Sequence, residues 1–209
     1  MMGFEPITHK NPLSLVFPRL RIRISVLSLP FLLIMLANEG FFPFCILFFS
    51  AAFHELGHIF ALKKAGYSPR RIDILPMGAL IVVPEGMPYR AELVTALSGP
   101  AASLSLFLLS LFFAVFFRSD YIIFSAAVNF TLFFINMLPI KKLDGGKALS
   151  CFLAMKSPEN EKETASRLCD AVSNVSIILF FILGALALLL TKANLGLFIC
   201  FLALAPFIN

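Results

Sequence analysis

The apolar residues of this chain fall in long, nearly unbroken runs with short polar breaks between them, at 22–37, 43–62, 91–117, 121–138, 168–190 and 195–208. A helix that crosses a bilayer needs about 20 predominantly apolar residues. The pattern therefore predicts an all-α polytopic membrane protein of about six transmembrane helices, the first of them short. Pro6, Pro12 and Pro18 argue against a regular helix before the first run. Lys63, Lys64 and Gly66 close the second run with a helix-stop signature, and Pro100 predicts a kink or a late start in the third.

One stretch breaks the helical pattern. Ile72, Ile74, Leu80, Ile81, Val82 and Val83 are β-formers, punctuated by Pro76, Gly78 and Pro84. They predict a small membrane-edge β-hairpin near 71–83. Such backbone survives at membrane depth only where protein or a watery cavity satisfies its polar groups. The organisation expected is a cytoplasmic tail over 1–23, a catalytic transmembrane core over 24–155 that ends in a short helix, a cytoplasmic loop over 156–167, and a pair of C-terminal transmembrane helices over 168–209.

Composition agrees with that class. The chain is 59% hydrophobic and 14% charged, against about 45–50% and about 25% in soluble domains. Its net charge of +5 would suggest nucleic acid in a soluble protein. Here it has a topological reading, because membrane proteins keep Lys and Arg on the cytoplasmic side. With the N-terminus in the cytoplasm and six spans, all of the 17 basic residues except Arg118 and Lys192 fall inside. Both termini are then cytoplasmic, the partners are the lipid bilayer and membrane proteins, and no nucleic acid is expected. The first run is followed by Asn38, Glu39 and Gly40 rather than by a small-x-small cleavage site, and reads as a retained span. The four cysteines form no C-x-x-C pair, so neither a disulfide framework nor a thiolate metal site is indicated.

The second run carries His54-Glu55-Leu56-Gly57-His58. Positions i and i+4 of a helix share a face. Two imidazoles placed there can reach one zinc ion, with the intervening carboxylate close enough to act as a base on water. A charge inside a span costs about 2.5–3.5 kcal/mol on insertion scales, so Glu55 marks a functional site. Two histidines leave a catalytic zinc one protein ligand short. Glu39 and Asp120 belong to outer turns, and Glu85 and Glu92 to the hairpin region. Asp144, in Leu143-Asp144-Gly145-Gly146, lies on the same inner side as the histidines, which favours it over the outer acids. The alternative for Asp144 is a turn-forming aspartate before glycine.

H-E-L-G-H, the later Ser98-Gly99-Pro100, and the stretch from Asn136 through Pro139 to Asp144-Gly145-Gly146 together resemble the site-2 protease family of intramembrane metalloproteases, over roughly 24–149. The resemblance implies one Zn2+ held by His54, His58 and Asp144, with Glu55 as general base. It implies regulated cleavage of membrane-associated or transmembrane substrates. It also matches the segment 71–83 to a strand that holds unwound substrate, with Ile81 and Val83 as contacts. Asn136, and less directly Asn129, are candidates for substrate or oxyanion contact. Two departures stand out: Ser103 where many members have Asn, and Lys141 and Lys142 where many have prolines. The compact build is most similar to the stage IV sporulation protease branch, which implies a sporulation pro-sigma factor as substrate and an inhibitory membrane partner. A zinc-binding but inactive scaffold and a metal transporter are the alternatives. The intact Glu55 speaks against the first, and the single depth of the ionisable groups against the second.

Overall fold

The computed structural model describes residues 14–17, 22–26, 28–75, 78–84 and 86–191. The last apolar run, over 195–208, lies outside them. In chain order the elements are β1 (Ser14–Phe17), β2 (Ile22–Ser25), α1 (Ser28–Glu39), α2 (Phe41–Lys64), β3 (Arg71–Leu75), β4 (Gly78–Val82), α3 (Tyr89–Phe117), α4 (Asp120–Asn136), α5 (Asp144–Lys156) and α6 (Lys162–Thr191).

Among the described residues, α2, α3 and α6 are long and apolar enough to cross a membrane, while α1 and α4 are shorter apolar helices. At about 1.5 Å per residue α2 spans about 36 Å and α1 only about 18 Å, against a hydrocarbon core of about 30 Å. The surface is that of a protein solvated by lipid. Phe41, Phe49, Phe60, Val115, Phe116 and Phe117 are exposed, whereas Ser50, His54, His58, Thr95, Ser103, Asn129 and Asp144 are buried. Soluble domains show the reverse.

Three expectations are corrected. The hairpin expected near 71–83 forms as β3 and β4, but among the described residues it belongs to a sheet of four strands in the order β1-β2-β3-β4. The added pair comes from the supposed tail and from the start of the supposed first span. Ile22-Arg23-Ile24-Ser25 alternates with the period of a strand, pairs in parallel with β3, and brings Arg23 opposite Asp73. Asp73 is buried between Arg71, at 2.8 Å, and Arg23, at 3.9 Å. The first apolar helix therefore begins only at Ser28, whose hydroxyl donates to the Ile74 carbonyl at 3.3 Å. Second, Pro100 does not delay α3, which starts at Tyr89 and runs through it. Third, residues 162–167 are not loop. After a short 3-10 turn (Glu159–Glu161) they form the first turns of α6, held in part by an i,i+4 ion pair of Arg167 with Glu163 at 2.8 Å.

The bundle core is α2, α3 and α4, with α5 packed on α3 and α6 on α5. Helices approach closely where small residues face one another. A Cβ at Gly57 would stand 2.6 Å from the Ser98 carbonyl oxygen and 3.0 Å from the Ala102 Cβ, so this glycine sets how near α2 comes to α3. The strand β4 packs beside α2, and no strand lies beyond it among the described residues.

Candidate metal centre

Two helices bring three donor atoms to a single point. The helix α2 supplies His54 and His58, one turn apart, and Asp144 is the first residue of α5. His54 Nε2 and His58 Nε2 are each 3.1 Å from Asp144 Oδ2 and 3.3 Å from each other. All three residues are buried, and together they form a group able to hold a metal ion.

The loop before Asp144 explains its placement. The chain leaves α4 at Asn136 and closes short bonds from Ile140 N–H to the Leu138 carbonyl and from Leu143 N–H to the Ile140 carbonyl, both 2.8 Å. A Cβ on Gly145 would collide with the Met137 carbonyl, and one on Gly146 with the Ile140 carbonyl. The two glycines therefore let α5 start directly against the loop. From the other side α6 steadies the same loop. Ser173 Oγ accepts from Lys141 N–H at 3.0 Å, and Asp170 pairs with the Lys141 ammonium at 2.6 Å.

Further groups orient the imidazoles. His58 Nδ1 is 2.7 Å from the Thr95 carbonyl oxygen, and His54 Nδ1 is 2.9 Å from Ser103 Oγ. Gly99 leaves room for the His58 ring, since a Cβ there would overlap its Nε2. Lys147, one turn along α5, reaches the second carboxylate oxygen of Asp144 at 3.4 Å. The sequence reading missed these supports, save that it noted Ser103 as a departure. Ser103 is fully buried and serves as a hydrogen-bond partner of a ligand candidate.

The donor set fits a small cation. A carbonyl oxygen only accepts, so His58 Nδ1 carries a proton, which leaves Nε2, the nitrogen beside Asp144 Oδ2, as the one able to ligate a metal. An ionised carboxylate oxygen is also an acceptor. A shared proton or a metal ion suits the separations of 3.1–3.3 Å among these three atoms. At zinc–ligand lengths of about 2.0–2.1 Å the edges of a tetrahedron are about 3.3 Å, close to the separations found here. One nitrogen of each imidazole bonded to an outer partner is the arrangement that fixes tautomer and ring orientation in metal sites.

The other candidates are not among the three donors. Glu55 follows His54 on α2 and is half-buried. Asn136 ends α4, with its Nδ2 donating to the Leu132 carbonyl at 2.9 Å. Asn129 is fully buried, and its amide donates to Ser50 and Ser125 rather than to the three donors. Ile81 lies in β4 opposite Ile72, and Val83 follows the strand.

Fold and site thus define a helical membrane protein with a buried centre of two histidines and one aspartate. No family model matches the chain. A protein of Methanocaldococcus jannaschii named a zinc metalloprotease is 30% identical over 118 residues, 54% of this chain and 34% of that protein. Stage IV sporulation protein FB of Bacillus subtilis is 29% identical over 110 residues, 50% of this chain and 38% of that protein. The chain thus spans only a little over a third of the length of these curated relatives. The solved structure of the site-2 protease from Methanocaldococcus jannaschii superposes with a TM-score of 0.65 at 23% identity, covering 93% of this chain and 91% of that one. The fold is therefore that of a site-2 protease, and the resemblance read from the motifs stands.

Proposed function

We propose that this protein is an intramembrane zinc metalloprotease of the site-2 protease type, cleaving peptide bonds of transmembrane or membrane-associated proteins. The observation that carries the reading is the convergence of His54, His58 and Asp144 donors at 3.1–3.3 Å inside an apolar bundle. In this reading those three residues hold one zinc per chain. Zinc in such a site supplies Lewis acidity and brings the pKa of water to about 7. Glu55, next to His54 on α2, takes the proton of the attacking water and hands it to the leaving amine. Asn136 Nδ2 spends one N–H on the Leu132 carbonyl and keeps a second that could serve an oxyanion. A transmembrane helix hides its carbonyls in internal bonds. The outer side of β4, around Ile81 and Val83, offers a strand for an extended substrate to pair with.

The chain in this proposal crosses the membrane about six times with both termini and the centre toward the cytoplasm, as its basic residues suggest. The likeness to a stage IV sporulation protein supports a sporulation role, with a pro-sigma factor as substrate and a membrane inhibitor as partner. The organisation read from the sequence, a catalytic core over 24–155 followed by helices over 168–209, belongs to the same proposal.

The test is co-expression of candidate membrane substrates with wild type and with Glu55→Gln. Cleavage by wild type and its loss in the variant, with zinc retained, is the expected result. Zinc with no cleavage by wild type would favour the inactive scaffold, and zinc uptake into sealed vesicles a transporter.

A further inference from the structure

The loop that presents Asp144 is held from α6 by two contacts of unequal weight. Lys141 N–H donates to Ser173 Oγ at 3.0 Å, and Ser173 is buried. The Lys141 ammonium meets Asp170 Oδ1 at 2.6 Å, but both side chains stand in the open, 64% and 47% exposed. An ion pair so exposed contributes little, whereas a bond to a buried hydroxyl is sheltered from competing water. The Ser173 bond is therefore the stronger hold, and it leads to Asp144 in two short steps. Leu143 N–H closes on the Ile140 carbonyl at 2.8 Å, which makes 140–143 one tight turn. The helix α5 then begins against the same peptide, since a Cβ on Gly146 would stand 2.7 Å from Lys141 N and would collide with the Ile140 carbonyl. The Ile140–Lys141 peptide thus bonds to Ser173 of α6 through its N–H and lies against the first turn of α5, whose first residue is Asp144. Lys141 is also one of the positions where this chain departs from the prolines that many site-2 proteases carry. A proline has no N–H to give, so the bond to Ser173 belongs to that departure.

We propose that Ser173 is a positioning residue of the metal centre: through the Lys141 N–H it fixes where α5 starts, and so where Asp144 Oδ2 meets His54 Nε2 and His58 Nε2. The inference rests on the metal-binding half of the proposed function and not on cleavage. A functional site holds its geometry to within about 0.5 Å, and a carboxylate on the first residue of a helix moves with the end of that helix. The centre thereby reaches past the core expected over 24–155 into α6, which packs on α5, and the seating of α6 feeds into zinc affinity. Asp170 assists only weakly.

The experiment is zinc affinity, by competition with a chromophoric chelator, on the detergent-purified full chain carrying Ser173→Thr or Ser173→Val. The two new side chains have nearly the same shape, and only threonine keeps the oxygen that Lys141 N–H needs. Zinc should bind about tenfold more weakly to the valine variant than to the threonine variant, the low end for groups that orient a ligand from outside. The visible spectrum of the Co2+-loaded protein should shift in the valine variant alone, a signature that a loss of fold stability away from the centre would not produce. Asp170→Asn should change zinc affinity by less than about twofold. Equal zinc affinity and equal cobalt spectra in the threonine and valine variants would overturn the proposal, and so would a larger effect from Asp170→Asn than from Ser173→Val. Should the valine variant fail to fold, Ser173→Ala against wild type gives the same two readings. Wild type that binds zinc and cleaves nothing would fail the protease reading alone, whereas wild type that binds no zinc would fail the metal reading and this inference with it.

Discussion

Two polar regions lie one helical turn apart on α2 and solve the problem of burial in opposite ways. At His54, His58 and Asp144, three donor atoms for a metal crowd together at 3.1–3.3 Å, and each residue has a second partner outward: Ser103, the Thr95 carbonyl and Lys147. At Ser50, Asn129 and Ser125 the donors are spent and one acceptor, Asn129 Oδ1, meets nothing among the described residues. The first region gathers groups able to ligate a metal, and the second leaves one acceptor without a donor among the described residues. Crowded acceptors with braced backs are a metal site in waiting. Both regions are buried, so burial alone does not distinguish a reaction centre from a structural polar knot.

The comparison breaks most completely at Asp144. Asp144→Ala removes the ligand candidate that bridges both imidazoles, and zinc should fall to background with cleavage abolished, as measured by elemental analysis beside a substrate assay. Gly99→Ala comes next. Its methyl group overlaps the His58 ring, and zinc affinity should drop about 100-fold, read by competition with a chromophoric chelator. Ser103→Ala removes only the outer partner of His54, and the same competition should register about tenfold. If Ser103→Ala matched wild type, the bracing of the first region would lose its function. Lys147→Met should have the smallest effect, about two- to fivefold in zinc affinity, because the Lys147 side chain is 41% exposed and its contact is long.

The centre was more legible in the sequence than its surroundings. H-E-x-x-H on an apolar run fixes a helical face, and Asp144 could be found by membrane side and by the glycines after it. Those glycines let α5 begin against carbonyl groups of the preceding loop. What sequence could not give was the bracing. The partner of His58 is a backbone carbonyl, which every residue has, and Ser103 is one of several serines on α3. The glycine of the H-E-L-G-H stretch turned out to set the α2–α3 approach at Gly57. Strands β1 and β2 were hidden because four-residue elements beside an apolar helix carry too little period to stand apart from a tail, and the pairing of β2 with β3 is long-range. The helix α6 carries no motif in the sequence, yet Asp170 and Ser173 tie down the loop that carries Asp144.

The central claim is that His54, His58 and Asp144 hold zinc for hydrolysis within the membrane. Zinc per chain, measured on detergent-purified wild type and on His54→Ala and Asp144→Ala prepared alongside, tests it most directly. About one zinc in wild type and little in either variant is the result predicted. Metal-free wild type that is nonetheless folded and cleaves its substrate, or equal zinc in all three proteins, would contradict it.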